Sequence, residues 1–323
     1  MFLIENLNKP ADSAGKPEMK AMRDGYGEGL VEAGRRNSEV VVLCADLTES
    51  TRTDLFRAAF PDRFLEMGIS EQNMMGVAAG MAATGKVPFV NSFACFSPGR
   101  NWEQLRISVC LSGNNVKIIG GHAGVGNGAD GGNQQMFEDI ALTRVLPNLT
   151  VVVPADYEQA KKMTLAIADF HGSVYMRMTK PKRETVTTSG TPLTIGKAQV
   201  FRTGKEVTVF ACGAMVYEAL AAAEALAGDI DVEVINVHTI KPLDKETIMR
   251  SVSKTGKVVT AEEHSIIGGL GGAIAELLSE ELPTKMRRVG MRDRFGESGE
   301  PAELLVKFGM TKEAIIAQIK ELI

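Results

Sequence analysis

The chain has 323 residues, 44% of them hydrophobic and 24% charged, with a formal net charge of −4. That length can bury a full core and favours two domains, while a mildly acidic balance with no basic block argues against nucleic acid as the main partner. The start, M-F-L-I-E-N-L-N-K-P, has no basic region ahead of a long apolar stretch, and no later segment reaches about 18 apolar residues in a row. A cytoplasmic protein is therefore expected. Its four cysteines, Cys44, Cys95, Cys110 and Cys212, lie in or beside apolar runs, form no C-x-x-C pair, and read as reduced thiols.

Residues 1–18, with Pro10 and Pro17, read as an N-terminal arm. From Met19 onward helices and strands alternate. A helix over about 20–36 leads to the apolar run Val40–Ala45. A helix over 71–84 precedes the strand Val87–Phe93, and Trp102–Ser112 reads as a helix before Val116–Gly120. A short helix near 136–144, a strand Thr150–Val153, a helix near 157–169 and a strand Ser173–Arg177 complete a first domain over 19–180. The segment 181–193, charged, Thr-rich and bounded by prolines, reads as a linker. In a second domain over 194–323, strands are expected at Val207–Cys212, Val232–Val237, Val258–Ala261 and Met286–Met291. Its helices are expected at 215–227, 244–253, 270–282 and 311–322. Short apolar runs separated by helices are the sequence form of a mostly parallel sheet covered on both faces. The expected fold class is two such α/β domains.

The most informative stretch runs from Gly68 to Arg100. Glu71 opens a helix in which Asn73 through Ala83 carry no charge on any face. Ser70 is placed to cap that helix, and a first-turn carboxylate favours the helix dipole even on a surface. A helix with no charged face, however, reads as buried all round, which aims Glu71 into a site. Phe93 and Phe96 follow at a strand end. Such aromatics are usually core, but the carboxyl end of a parallel strand is where open α/β sheets bind ligands. A carboxyl group beside an aromatic wall suits a heteroaromatic cofactor that gains and loses a proton.

The loop G-G-H-A-G-V-G-N-G-A-D-G-G-N-Q-Q at 120–135 holds seven glycines and fits neither phosphate-binding glycine pattern. It reads as a functional loop whose backbone approaches a ligand closely. The G-G-L-G-G at 268–272 has the wrong spacing for a dinucleotide fingerprint, so close packing of helix on strand is the better account.

Together G-I-S-E-Q-N-M, P-F-V-N-S-F-A-C-F, H-A-G-V-G-N-G-A-D-G-G-N-Q, T-I-K-P-L-D and G-E-S-G-E-P-A-E-L-L-V-K-F-G-M resemble transketolase from about Met19 to Ile323. The resemblance covers two of that family's three domains, the pyrimidine-binding domain (19–180) and the C-terminal domain (194–323). The family's G-D-G magnesium motif does not occur in this sequence. The resemblance therefore implies the C-terminal subunit of a split, thiamine diphosphate-dependent transketolase. Mg2+ would be held by a separate N-terminal chain, in an α2β2 assembly inactive without that partner.

Residue by residue, Glu71 matches the glutamate that hydrogen-bonds the cofactor's aminopyrimidine, Phe93 and Phe96 the aromatics that stack on it, and Asp46 an acidic residue near its thiazolium side. Arg23, Ser50, His122 and Lys180 match positions that grip or approach the phosphate of a sugar phosphate, and with Glu71 as the other catalytic residue His122 is expected to manage the proton as the carbon–carbon bond breaks. Asp130 matches a carboxylate that accepts from a donor hydroxyl, and Gln134 a position held by His or Gln. Lys180 stands where the family usually has Arg, which exchanges a bidentate fork for a point charge. Phe89 is given no role. No residue is matched to a metal.

Two other readings compete. The β subunit of a 2-oxoacid dehydrogenase decarboxylase shares the cofactor and the two domains, but a 2-oxoacid has no distal phosphate for Arg23, Ser50 and Lys180 to hold. A non-catalytic assembly partner would have no use for Glu71, Phe93, Phe96 and Asp130 together.

Overall fold

The computed structural model describes residues 6–8 and 18–323, so most of the expected N-terminal arm (1–5 and 9–17) lies outside the described residues. The chain begins β1 (Met19–Ala21), α1 (Met22–Arg36), β2 (Val40–Cys44), α2 (Asp54–Ala59), β3 (Phe64–Glu66), α3 (Glu71–Ala83) and β4 (Val87–Phe93). It continues with α4 (Trp102–Gln104), which runs on as a π-helix over Leu105–Leu111, then β5 (Lys117–Gly121) and a 3-10 helix (Gly124–Asp130). Next come α5 (Asp139–Arg144), β6 (Leu149–Val152), α6 (Tyr157–Asp169), β7 (Ser173–Arg177) and β8 (Lys182–Glu184). The second half holds β9 (Gln199–Arg202), β10 (Val207–Ala211), α7 (Met215–Ala225), β11 (Val232–Asn236), β12 (Thr239–Lys241), α8 (Lys245–Thr255) and β13 (Val258–Ser265). It ends with α9 (Leu270–Glu281), β14 (Met286–Met291), α10 (Pro301–Lys307) and α11 (Lys312–Lys320).

Seven strands in the order β12-β6-β7-β5-β4-β2-β3 form the first sheet, parallel except for β12 at one edge. Five in the order β14-β13-β10-β11-β9 form the second, parallel except for β9. Helices cover both faces of each, as the run of fully buried strands requires. On one face of the first sheet, Tyr26, Leu30 and Ala33 of α1 pack with Ala160, Met163 and Ile167 of α6. On its other face, Met74, Met75, Ala78 and Ala79 of α3 join Leu105 and Val109. That cluster continues without a break into Ile248 and Val252 of α8 and Leu270 and Ile274 of α9, so the two domains share a core. Among the described residues no helix is long and apolar enough to cross a membrane.

Local signals account for several element ends. The Asp156 carboxylate accepts the Gln159 N–H at 2.9 Å and caps α6, and Asp244 does the same for α8 through Thr247. Gly256, at φ +63°, closes α8 in the left-handed conformation a β-carbon disfavours.

The structure departs from the sequence reading at four places. Ser70 does not cap α3; its hydroxyl donates to the Met67 carbonyl at 2.6 Å. Nor is α3 buried all round: Gln72, Asn73, Gly76, Gly80 and Ala83 are exposed, because an uncharged ridge reads as core whether or not this chain itself covers it. The segment read as a linker starts with β8, which pairs antiparallel with β1, and the Asp156 carboxylate then takes the Val186 and Thr187 amides at 2.8 and 2.6 Å. Finally, β12 belongs to the second half of the chain but hydrogen-bonds to β6 in the first sheet. Lys241 secures it by donating to the Arg144 carbonyl at 3.1 Å and to that of Leu146.

Candidate active site

β7, β5, β4 and β2 are adjacent in the first sheet, and the residues that follow them are Lys180, His122, Phe96 and Asp46. The parallel order alone thus gathers four sequence-predicted residues at one sheet edge, on the carboxyl side where such sheets bind ligands. Glu71 reaches the same edge from the start of α3, and Arg23 from the start of α1.

Glu71 is 4% exposed, and both its carboxylate oxygens accept from Arg100 Nη1, at 3.2 and 3.3 Å. The Arg100 guanidinium lies over the Phe96 ring at 4.2 Å, Phe96 stacks with Phe93 at 6.0 Å, and Phe93 stacks on the His122 imidazole at 3.9 Å. A continuous chain of contacts therefore joins the buried carboxylate to the buried histidine across an aromatic wall. Arg100 drew no notice in the sequence because nothing local marks an arginine 29 positions after a glutamate as its partner. Phe89, by contrast, is pure core, fully buried beside Val42 and Ile119.

His122 is held in a left-handed backbone at φ +57°, a conformation of order 1–3 kcal/mol above the ordinary wells for a side chain of this kind. Asn127 supports it, donating from Nδ2 to the His122 carbonyl and to the Gln134 carbonyl, both at 2.7 Å, and so drawing the two ends of the loop together. Burial, helped by the positive charges of Arg23 and Lys180, pushes the imidazole down to about 3, so His122 is neutral near pH 7.

Several glycines of this loop are required by contacts within the chain. A β-carbon on Gly128 would meet the Gly299 carbonyl and Pro301, one on Gly131 the Ser298 hydroxyl, and one on Gly132 the Gly296 carbonyl at 2.5 Å. Gln135 completes the seam, donating to the carbonyls of Gly128 at 3.1 Å and Glu297 at 2.9 Å. These glycines let the loop close onto the C-terminal domain. At 268–272 the helix-on-strand account holds: Glu262 of β13 accepts the amides of Leu270 and Gly271, and a side chain on Gly269 would collide with it.

Of the remaining sequence-predicted residues, Arg23 and Lys180 bring their charges close to His122. Arg23 Nη1 donates to the Ser50 carbonyl at 3.2 Å, so Ser50 meets it through the backbone. The buried Arg23 Nε has no partner among the described residues. Lys180 faces Asp130 at 3.4 Å, both half-exposed, a pair that adds little to stability. Asp46 is exposed at φ +57°, its amide held by Glu66 Oε1 at 2.8 Å. Gln134 donates its amide to the Gly131 carbonyl at 3.1 Å.

A buried ionic cluster below the loop was not legible in the sequence. Arg177 Nε donates to both Asp139 oxygens, at 3.2 and 2.9 Å, Tyr175 donates to Asp139 Oδ2 at 2.8 Å, and Arg177 Nη2 reaches the Glu263 carbonyl at 2.6 Å. Its members lie 36–38 and 86 positions apart, beyond any motif window.

Burial also pushes His238 and His264 down, each to about 4. Such histidines are neutral in the fold but take up protons when unfolded, so the stability they contribute is complete above pH 6.5 and is lost as pH falls toward their folded values. Glu262, raised by burial to about 7, works in the opposite sense between pH 4.5 and 7. The carboxyls of Glu218 and Glu263, also raised by burial, add to that opposition, so the histidine share is read by substitution: His238→Gln should lower the slope of unfolding free energy against pH between 6.5 and 4 by at most about 1.4 kcal/mol per pH unit. Urea unfolding at stepped pH checks this, and an unchanged slope in the variant would contradict it.

Two family models match the chain: "Transketolase, pyrimidine binding domain" over residues 18–184 and "Transketolase, C-terminal domain" over residues 196–315. The "Putative transketolase C-terminal section" of Methanocaldococcus jannaschii is 45% identical over 94% of this chain and 96% of its own length. The "6-deoxy-6-sulfo-D-fructose transketolase subunit SqwH" of Clostridium sp. (strain MSTE9) is 42% identical over 98% of both. A solved structure described as "Split gene transketolase, inactive beta4 tetramer" superimposes with a TM-score of 0.88 at 46% identity, over 94% of this chain and 98% of that one. The transketolase of Mus musculus is 35% identical over 99% of this chain but only 52% of the mouse protein.

Proposed function

The chain belongs to the transketolase family, and from that premise we propose that it is the C-terminal subunit of a thiamine diphosphate-dependent transketolase. It would move a two-carbon ketol unit from a ketose phosphate to an aldose phosphate together with a separate N-terminal subunit. The observation that carries this reading is the unbroken path from buried Glu71 through Arg100, Phe96 and Phe93 to neutral His122.

The residues fit the cofactor. A nearly buried carboxylate next to two stacked phenylalanines offers a hydrogen-bonding partner and a flat wall, as an aminopyrimidine needs. Thiamine diphosphate, when bound, supplies an acidic thiazolium carbon able to carry the two-carbon unit. Glu71 would hold the aminopyrimidine nitrogen, Phe93 and Phe96 would pack against its ring, and Asp46 would border the thiazolium side. Mg2+ would be held by the partner subunit.

His122, neutral at working pH, offers one ring nitrogen as acceptor and the other as donor to substrate oxygens, and would steer the hydroxyl proton through those hydrogen bonds. Asp130 would accept from a donor hydroxyl and Gln134 would line the same path. Arg23, Lys180 and the Ser50 turn would hold the anionic end. The orphaned Nε of Arg23 supports this role, since a buried guanidinium donor without a partner is poised to bind an oxyanion. Arg23→Ala is accordingly expected to raise KM for a sugar phosphate about tenfold or more with a smaller effect on kcat; steady-state kinetics check it, and an unchanged KM counts against the assignment.

The exposed, uncharged ridge of α3 supports an assembly in which a second subunit covers it, in an α2β2 complex inactive without the N-terminal chain. The test is transketolase activity with thiamine diphosphate, Mg2+ and xylulose 5-phosphate, for this chain alone and mixed with its N-terminal partner. Turnover only in the mixture is expected. A mixture that instead decarboxylates a 2-oxoacid would move the assignment to a 2-oxoacid dehydrogenase β subunit.

A further inference from the structure

Glu263 lies on β13 of the C-terminal domain, yet its side chain points away from that domain's own strands and into the loop of the pyrimidine-binding domain that carries His122 and Asp130. It is 2% exposed, and among the described residues neither carboxylate oxygen makes a well-formed hydrogen bond. A β-carbon on Gly124 would sit 2.5 Å from its Oε1, so the loop passes over the carboxyl with room only for glycine. Burial pushes this carboxyl up, and Arg183, Arg177 and the amides of Val125 and Gly126 oppose that rise, which identifies the groups facing it. Arg183 Nε is itself buried without a partner among the described residues. The residue's own backbone is fixed, because its carbonyl accepts from Arg177 Nη2, which Asp139 anchors.

We propose that Glu263 is a positioning residue for the substrate loop: its buried carboxyl, delivered from the C-terminal domain, seats the Gly124–Gly126 turn and thereby sets where His122 and Asp130 stand. The glycine-to-glycine seam at Gly128, Gly131 and Gly132 secures the far side of the loop, so that the C-terminal domain holds the loop at both ends. This assigns that domain a part in substrate binding although none of its residues belongs to the proposed cofactor and substrate contacts. The kinetic part of the idea rests on the transketolase reading given above; the structural part does not.

Two variants test it, Glu263→Ala and Glu263→Gln, the second keeping the shape and one acceptor oxygen. Hydrogen–deuterium exchange on the chain alone is expected to rise about tenfold in peptides spanning 121–135 for Glu263→Ala, with the β10 and β11 peptides unchanged. In the mixture with the N-terminal subunit, the same variant should raise KM for the ketose phosphate about fivefold or more with kcat within about twofold, and Glu263→Gln should restore both readouts. Unchanged exchange in 121–135, or a rise shared equally by β10 and β11, overturns the proposal. Should Glu263→Ala not fold, Glu263→Gln stands in for it, and a KM and loop exchange more than about twofold from wild type would then overturn the positioning role. An inactive wild-type mixture would refute the functional reading while leaving the exchange result to decide this one.

Discussion

Glu71→Ala is expected to lower kcat of the reconstituted enzyme by about 100-fold or more, the range associated with loss of a positioned acid–base group. The fold should survive the change. Glu71's partner is a half-exposed arginine, so its removal frees Arg100 into solvent and leaves no buried charge unpaired. An exposed partner also means that the Glu71–Arg100 pair itself adds little to stability. Thermal melting within a few degrees of wild type, with turnover nearly abolished, is the expected pair of results. Glu71→Gln separates shape from chemistry, since it keeps the side-chain volume but cannot give or take a proton in the same way. Near-normal turnover in Glu71→Ala would remove the carboxylate from the mechanism, and with it the main physical argument for the cofactor.

The largest effect on stability is expected from Asp139→Ala. Asp139 and Arg177 are both fully or nearly fully buried, Asp139 also accepts from the Tyr175 hydroxyl, and Arg177 has no solvent to turn to. Removing one member of a buried ion pair leaves an uncompensated charge in the interior, at about 3–5 kcal/mol. Asp139 begins α5 and Arg177 ends β7, while Arg177 also holds the Glu263 carbonyl, so the loss should loosen the seam between the domains as well as the first sheet. Chemical denaturation gives the measurement. A loss below about 1 kcal/mol would mean that the pair is better solvated than its burial indicates.

Three residues illustrate how far the candidate site could be read ahead of the structure. Glu71 was legible because an acidic residue at the head of an uncharged helix breaks a local pattern. The glycine count marked out the loop that carries His122, while the role of His122 itself came from the family resemblance. Glu263 was not legible, since it lies in the middle of a buried strand whose neighbours, Glu262 and His264, are equally polar and have different tasks: Glu262 accepts the first amides of α9, and His264 accepts the Ile140 amide at 3.2 Å. Nothing in E-E-H distinguishes which carboxyl faces its own helix and which faces another domain. The glycine loop shows a related limit. Glycine signals close approach, but the sequence does not say what approaches, and at Gly128, Gly131 and Gly132 it is the Gly296–Pro301 segment.

Alternating apolar runs and helical stretches were enough to determine two α/β domains, because the periodicity of burial is written into each element separately. Residues whose chemistry depends on being at the end of a strand or the head of a helix, Phe93, Phe96 and Glu71, were therefore within reach of the sequence. The tertiary structure alone decided which elements meet. It placed β12 at the edge of a sheet built from the other half of the chain, paired β8 with β1, set Arg100 against Glu71, and buried Arg177 with Asp139. Each of these contacts joins residues far apart in the chain through short segments with no periodicity of their own. Their partners are fixed by strand order and by the shared core between the domains, which are properties of the assembled chain and not of any local stretch of it.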